Sequence, residues 1–249
     1  MKSQKGFRTC TLLVSFTALG TLITPAPFVS AQIRTTYDGV PLNEPFQIQV
    51  NGALLKVPAG YLAPWPSGKY RDKVIETKMF AFNFWMPSRR YVEISHFSIV
   101  GTRPQEKGRV PPTADSYVVK VSDAQLLDPD KLDYRSPDWR FQNLVSTPGL
   151  SSYSFKTEDF GLTRFWRTNW PHTQSEPHIR YRNLDGMEPK ILLRCTPPAI
   201  PKPNPLCDGY VYFSQDRLSF YLVLGRRDLP NWRETVAAAR DLFESWKVK

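Results

Sequence analysis

Arginine and large aromatic side chains alternate through one short stretch of this sequence: Arg164-Phe165-Trp166-Arg167, then Trp170 and His172, then Arg180-Tyr181-Arg182. A guanidinium offers a planar fork of donors to carboxylate or phosphate. Trp and Tyr add contact area at little conformational cost, and these residue types dominate binding hot spots. The pattern points to recognition of another protein, with Arg164, Trp166, Arg167, Trp170, Arg180, Tyr181 and Arg182 as the candidate surface and Arg89-Arg90-Tyr91 as an extension. In that arrangement Arg164, Arg167 and Arg180 lie close together in solvent while Phe165 turns inward. The plainer alternative is a sheet with its aromatics inside and its arginines outside.

Residues for covalent or acid–base chemistry are sparse. The three histidines are His96, His172 and His178, and a Ser-His-Asp or Cys-His site would have to use one of them. His172 and His178, six residues apart, are not spaced as two ligands of one metal on a helix or a strand, and His96 falls in a candidate strand. No Gly-x-Ser-x-Gly elbow, His-Glu-x-x-His motif or Gly-rich phosphate loop occurs. Asp128, Asp130 and Asp133 lack the glycine and further oxygen ligands of a calcium loop. They read as turn and capping residues, and Glu158-Asp159 before Gly161 reads as a turn. No catalytic residue, metal or cofactor is therefore expected. Paired carboxylates assembled by a fold leave no sequence signature, which keeps one alternative open: an envelope hydrolase acting on cell-wall glycan or lipid.

The N-terminus supplies a compartment. Lys2, Lys5 and Arg8 precede an uncharged apolar stretch from Thr11 to Thr24, Pro25 and Pro27 break it, and Val29-Ser30-Ala31 presents small residues. This is the layout of a cleavable signal peptide, residues 1–31, too short in its apolar run to span a membrane. Cleavage after Ala31 leaves 218 of the 249 residues, compatible with a single domain over 32–249 whose first segment, about 32–45, is an arm without periodicity. Losing three basic residues lowers the formal charge from +10 to +7, which still favours anionic surfaces. A periplasmic or secreted location disfavours nucleic acid as a partner and leaves a protein or an anionic envelope surface. No transmembrane segment remains after cleavage.

Cys10 leaves with the signal, so Cys195 and Cys207 are the cysteines of the mature chain. In an oxidising compartment, flanking a Pro-rich loop, they form one structural disulfide. A zinc site would need more ligands nearby.

The elements that position these residues are mainly strands. Phe46, Ile48 and Val50 alternate with glutamines, Asn51-Gly52 supplies a two-residue turn, and Ala53 to Val57 returns. Lys78 to Met86 is apolar on both faces and stops at Pro87, as a buried strand does. Tyr91–Val100, Tyr117–Val121, Phe155–Trp170, Ile179–Arg182, Ile191–Cys195, Tyr210–Phe213 and Leu218–Leu224 are further strand candidates. Prolines 129, 137 and 148 limit residues 123–150 to one or two helical turns. Leu229, Trp232, Val236, Ala239, Phe243 and Trp246 then form an apolar stripe at helical spacing, with Asp228 as its cap and Pro230 in its first turn. The expected fold is α+β: a largely antiparallel sheet with an amphipathic C-terminal helix packed on it.

Cys195 and Cys207, an aromatic strand, a second strand and then Leu229-Pro230-Asn231-Trp232 opening a terminal helix together resemble a group of exported proteobacterial proteins of unknown function. The early Asn51-Gly52 followed by Val57-Pro58 is similar to that group as well. The resemblance covers about a third of the mature chain and rests on scaffold elements. Some small exported proteins of this kind are immunity proteins against toxins of neighbouring bacteria. The resemblance implies that role, or an inhibitor role, and carries no catalytic residues with it.

Overall fold

The computed structural model describes residues 36–37, 39–64, 67–92, 116–128, 136–146, 149–168, 179–183, 186–196 and 205–249. The expected signal segment 1–31 lies outside them, as do His96, Trp170, His172 and His178, most of the strand expected at Tyr91–Val100, and the loop that follows it. The expected arm contributes a short hairpin, β1 (Thr36–Tyr37) and β2 (Val40–Pro41), and its Val40 and Leu42 are buried. Two apolar side chains in the core make this described stretch part of the packing.

Asn51 and Gly52 both take positive φ, 46° and 87°, the backbone that a two-residue type I′ turn requires. They join β3 (Pro45–Val50) to β4 (Ala53–Pro58) in register, with Val50 opposite Ala53. A strand that the sequence did not announce, β5 (Val74–Thr77), pairs in parallel with β3 and completes a three-stranded sheet. Its four residues are too few to display a period, and its side chains are largely exposed.

β6 (Phe80–Met86) has apolar side chains on both faces, as its sequence requires. It pairs with β7 (Tyr117–Leu126), which runs well past the short strand expected there. Asp123, at φ 53°, sits in the middle of β7, and the register shifts locally. Such an irregularity hides the continuation of a strand from a simple alternation test. Pro137, expected as a breaker, opens helix α1 (Pro137–Ser146). Proline is tolerated in a first turn, where its missing N–H has no intrahelical partner to lose.

β8 (Tyr153–Thr157) and β9 (Thr163–Arg167) form a hairpin about Gly161, whose φ is 80°. The Glu158-Asp159 turn divides what reads in sequence as one strand region. β10 (Ile179–Arg182), β11 (Lys190–Cys195), β12 (Leu206–Phe213) and β13 (Leu218–Gly225) follow, close to their expected positions. With β6 to β9 they make an eight-stranded sheet in the order β6-β7-β13-β12-β11-β10-β9-β8, every neighbouring pair antiparallel. Cys195 lies directly opposite Cys207 on β11 and β12, and the two are bonded.

The terminal helix starts later than its apolar stripe. Arg226–Asn231 form a 3-10 helix that contains Pro230, and α2 (Trp232–Ser245) begins after it. Asp228, expected as the helix cap, is instead buried within the 3-10 turn, and Asn231 holds the cap position. Trp232, Val236, Ala239, Phe243 and Trp246 are buried as the stripe requires. They share one apolar core with Phe46, Val50, Phe82, Phe84, Val211, Phe220 and Leu222, so α2 and the three-stranded sheet cover the same face of the large sheet. Asn51 fastens the hairpin turn to that sheet by donating its side-chain amide to the Leu126 carbonyl. The fold is α+β, with one large antiparallel sheet and a C-terminal helix on it.

Candidate functional site

Strand pairing decides which of the candidate binding residues share a face. Tyr181 lies opposite Arg164 on β9, and Arg180 lies opposite Phe165. Because side chains alternate across a strand, Arg164, Trp166 and Tyr181 project to the face that α2 covers. Arg167, Arg180 and Arg182 project to the other face, with Phe165. The sheet therefore divides the expected single patch in two. Arg164 and Arg180 are not neighbours on one surface, whereas Phe165 does turn inward and is fully buried. Trp170 lies outside the described residues.

The α2-side group is tied into the scaffold. Arg164 pairs with Glu158 at 3.0 Å and stands 5.0 Å from the Trp166 ring centre. Tyr181 packs in the main core, 6.1 Å from Phe160 between ring centres. Burial pushes its phenol pKa up, and the adjacent Arg164 and Arg226 pull against that rise. Arg89, proposed as an extension of the patch, pairs with Asp241 on α2 at 2.9 Å.

The opposite face holds a cleft. Helix α1 covers part of it, placing Phe141 against Phe165 with ring centres 5.3 Å apart in an edge-to-face arrangement. Beside the helix, Arg140, Leu144, Arg180, Leu192, Arg194, Asp208, Tyr210 and Tyr221 line a cleft of about 320 Å³. Their order is dictated by register. Arg180, Arg194 and Asp208 face one another in a row across β10, β11 and β12, and Leu192, Tyr210 and Tyr221 form the next row across β11, β12 and β13.

Within these rows Arg194, Asp208 and Tyr221 hold one another. Arg194 donates from Nη2 and Nε to the two oxygens of Asp208, at 2.9 and 3.3 Å. The Tyr221 hydroxyl also donates to Asp208. Burial and this bond to a carboxylate together hold the Tyr221 phenol far above its ordinary range. Arg140 stacks its guanidinium 3.7 Å from the Tyr210 ring centre, and Arg182 lies 3.9 Å over Phe141. Burial lowers the pKa of Arg180, and the like charge of Arg194 lowers it further. Lys190 pairs with Asp138 of α1 at 2.8 Å.

Among the described residues, Asp208 is the one carboxylate lining the cleft, and it is already engaged by Arg194 and Tyr221. The arrangement suits binding of an anionic, partly aromatic group by stacked guanidinium forks. Sequence inspection singled out Arg180 and Arg182 but missed Arg140, Arg194, Tyr210 and Tyr221. Arg140 sits in a region that reads as irregular, and the other three lie on alternating strands where each reads as an ordinary surface position. Among the described residues no helix is long and apolar enough to cross a membrane.

No family model matches this sequence, and no curated protein matches it either. Among solved structures, the fold is similar to that of Smlt3025, an immunity protein of the Stenotrophomonas maltophilia type IV secretion system, with a TM-score of 0.58 at 14% sequence identity over 87% of this chain and 98% of that one.

Proposed function

We propose that this protein is an exported, periplasmic binding protein, without enzymatic activity, that recognises another protein through the α1 face of its large sheet, in an immunity or inhibitor role. The observation that carries the proposal is the cleft in which Arg140, Arg180, Arg194, Tyr210 and Tyr221 converge. Arginine and tyrosine are residue types concentrated in hot spots. The register preassembles them on rigid strands, which lowers the cost of ordering them on binding. Arg167 and Arg182, from the candidate set, share this face and extend it toward the β8 edge.

Two further observations support the setting. The Cys195–Cys207 bond fits an oxidising compartment, as does the signal-like layout of residues 1–31. Likeness in fold to an immunity protein supports the kind of role. The test is affinity capture with residues 32–249, wild type beside the double variant Arg140→Ala/Arg180→Ala, from envelope extracts. A protein retained by the wild type and lost from a folded double variant supports the proposal. Equal retention by both contradicts it.

A further inference from the structure

We infer that β8, the end strand of the large sheet, pairs antiparallel with β8 of a second copy of this chain, about a two-fold axis at Phe155. The inference goes beyond the recognition role proposed above and does not depend on it.

The hydrogen-bond phase of β8 carries the first part. Thr168 donates its backbone N–H to the Ser152 carbonyl at 3.0 Å, and Glu158 donates to the Leu162 carbonyl at 2.9 Å. With the register, these bonds commit the even-numbered residues of β8 to β9. The N–H and C=O groups of Tyr153, Phe155 and Thr157 therefore point away from β9. Among the described residues no strand takes them up. By contrast, β6 at the other end of the sheet is bridged by Leu62 and Tyr91, and β4 of the smaller sheet by Lys247. A row of open main-chain groups is a template for another strand.

The residues along that edge are complementary to themselves. Centring the pair on Phe155 aligns all five residues of each β8. Phe155 then faces Phe155 of the second copy, and each Tyr153 faces a Thr157. Aromatic–aromatic and aromatic–β-branched pairs are among those that stabilise a sheet. Each Lys156 faces a Ser154, so no like charges are directly opposed, whereas centring on Lys156 would oppose the two lysines. Phe155 stacks on the buried Phe165, 5.8 Å between ring centres, yet remains 45% exposed. The second copy covers that ring. Every outward N–H of one β8 meets an outward C=O of the other. The axis of such a pair stands perpendicular to the sheet. The α1 faces of the two copies then lie on one side of a continuous sheet, with eight strands from each copy.

The experiment is sedimentation equilibrium of residues 32–249, from low micromolar to several hundred micromolar protein. The wild type should associate reversibly to a dimer, and amide exchange at Phe155 should slow as concentration rises. Thr157→Pro removes an N–H that the ladder to β9 does not use, a position where an edge strand tolerates proline. It should weaken dimerisation by about tenfold or more, through the loss of one hydrogen bond on each side of the axis. Phe155→Thr keeps a strand-forming residue and should weaken it by about tenfold. Phe155→Cys should cross-link to a dimer under mild oxidation, because hydrogen-bonded partners stand about 5.5 Å apart between Cα atoms. Lys156→Cys should cross-link about tenfold more slowly or not at all, since its counterpart lies diagonally about 7–8 Å away. Thermal melts of each variant establish that it is folded.

A wild type that stays monomeric at every concentration overturns the inference. So does a dimer that both Thr157→Pro and Phe155→Thr leave intact, or equal cross-linking of Phe155→Cys and Lys156→Cys, because either places the contact elsewhere. If the wild type is monomeric and folded Thr157→Pro loses an envelope protein that the wild type retains, the edge receives a strand of that protein and the second copy falls. Capture by the Arg140→Ala/Arg180→Ala variant is read separately, so the recognition face and the dimer stand or fall independently.

Discussion

Arg194 and Asp208 face each other across β11 and β12, one residue along from the bonded Cys195 and Cys207. The charged pair points into the cleft and the disulfide points into the core, so one register locks both sides of the sheet. Arg194 is half exposed, which limits the worth of the pair. Asp208→Asn should cost about 1 kcal/mol of folding stability at neutral pH, as for a charge-assisted hydrogen bond partly open to water. Urea unfolding of the two proteins measures it. An unchanged midpoint would mean that the pair adds nothing to stability.

Alkaline pH should destabilise the fold. Tyr61, Tyr117, Tyr181 and Tyr221 all have phenol pKa values raised, in each case chiefly by burial. A raised folded-state value means that the native protein holds its protons where the unfolded chain releases them. The contribution is complete below the ordinary phenol value of about 10 and is lost as pH climbs toward the folded value. Lys120, lowered by burial, acts with the opposite sign. Stability measured in urea from pH 8 to 11 should fall above about pH 10, and Tyr221→Phe should make that fall shallower. A fall of the same steepness in the variant would contradict the place given to Tyr221.

Replacing both Cys195 and Cys207 with Ser should lower stability by about 3 kcal/mol, because it frees a loop of this size in the unfolded chain. Mature protein alkylated without reduction should show no added mass at these residues. Thermal melts with and without a reductant should reproduce the loss seen in the double variant. Insensitivity of the melt to reduction would contradict a stabilising bond.

Trp232 is 1% exposed, and its Nε1 donates to the Phe160 carbonyl at 3.0 Å. Trp232→Ala should cost about 3–5 kcal/mol through the cavity it leaves, with Arg233 remaining as the side-chain donor to that carbonyl. It should lower the melting temperature sharply. At temperatures where the variant stays folded, capture of a partner through the α1 face should be unaffected, because Trp232 lies on the opposite face of the sheet. Loss of binding without loss of stability would overturn this separation of roles.

The hairpin at Asn51-Gly52 and the strands from Ile179 onward were legible because each carries its own local signal, a turn that demands positive φ or strict alternation. The stripe from Leu229 to Trp246 was legible for the same reason. Asp228 was misplaced because a 3-10 turn precedes the helix, and capping rules read the apolar stripe as if the helix began with it. The candidate site was legible in residue type and illegible in arrangement. Arg164-Phe165-Trp166-Arg167 looks contiguous in sequence, yet alternation sends Arg164 and Trp166 to one face and Arg167 to the other. Arg140 and Tyr210 meet through a helix docking on a distant strand, a relation that no local spacing encodes.

The central claim is that the α1 face of the sheet is the recognition surface. Once a partner has been captured, calorimetric titration of it into wild-type protein and into Arg180→Ala tests that claim most directly. The account predicts binding weaker by about 1–3 kcal/mol in a variant that melts close to the wild type. Equal affinity of the two folded proteins would contradict it.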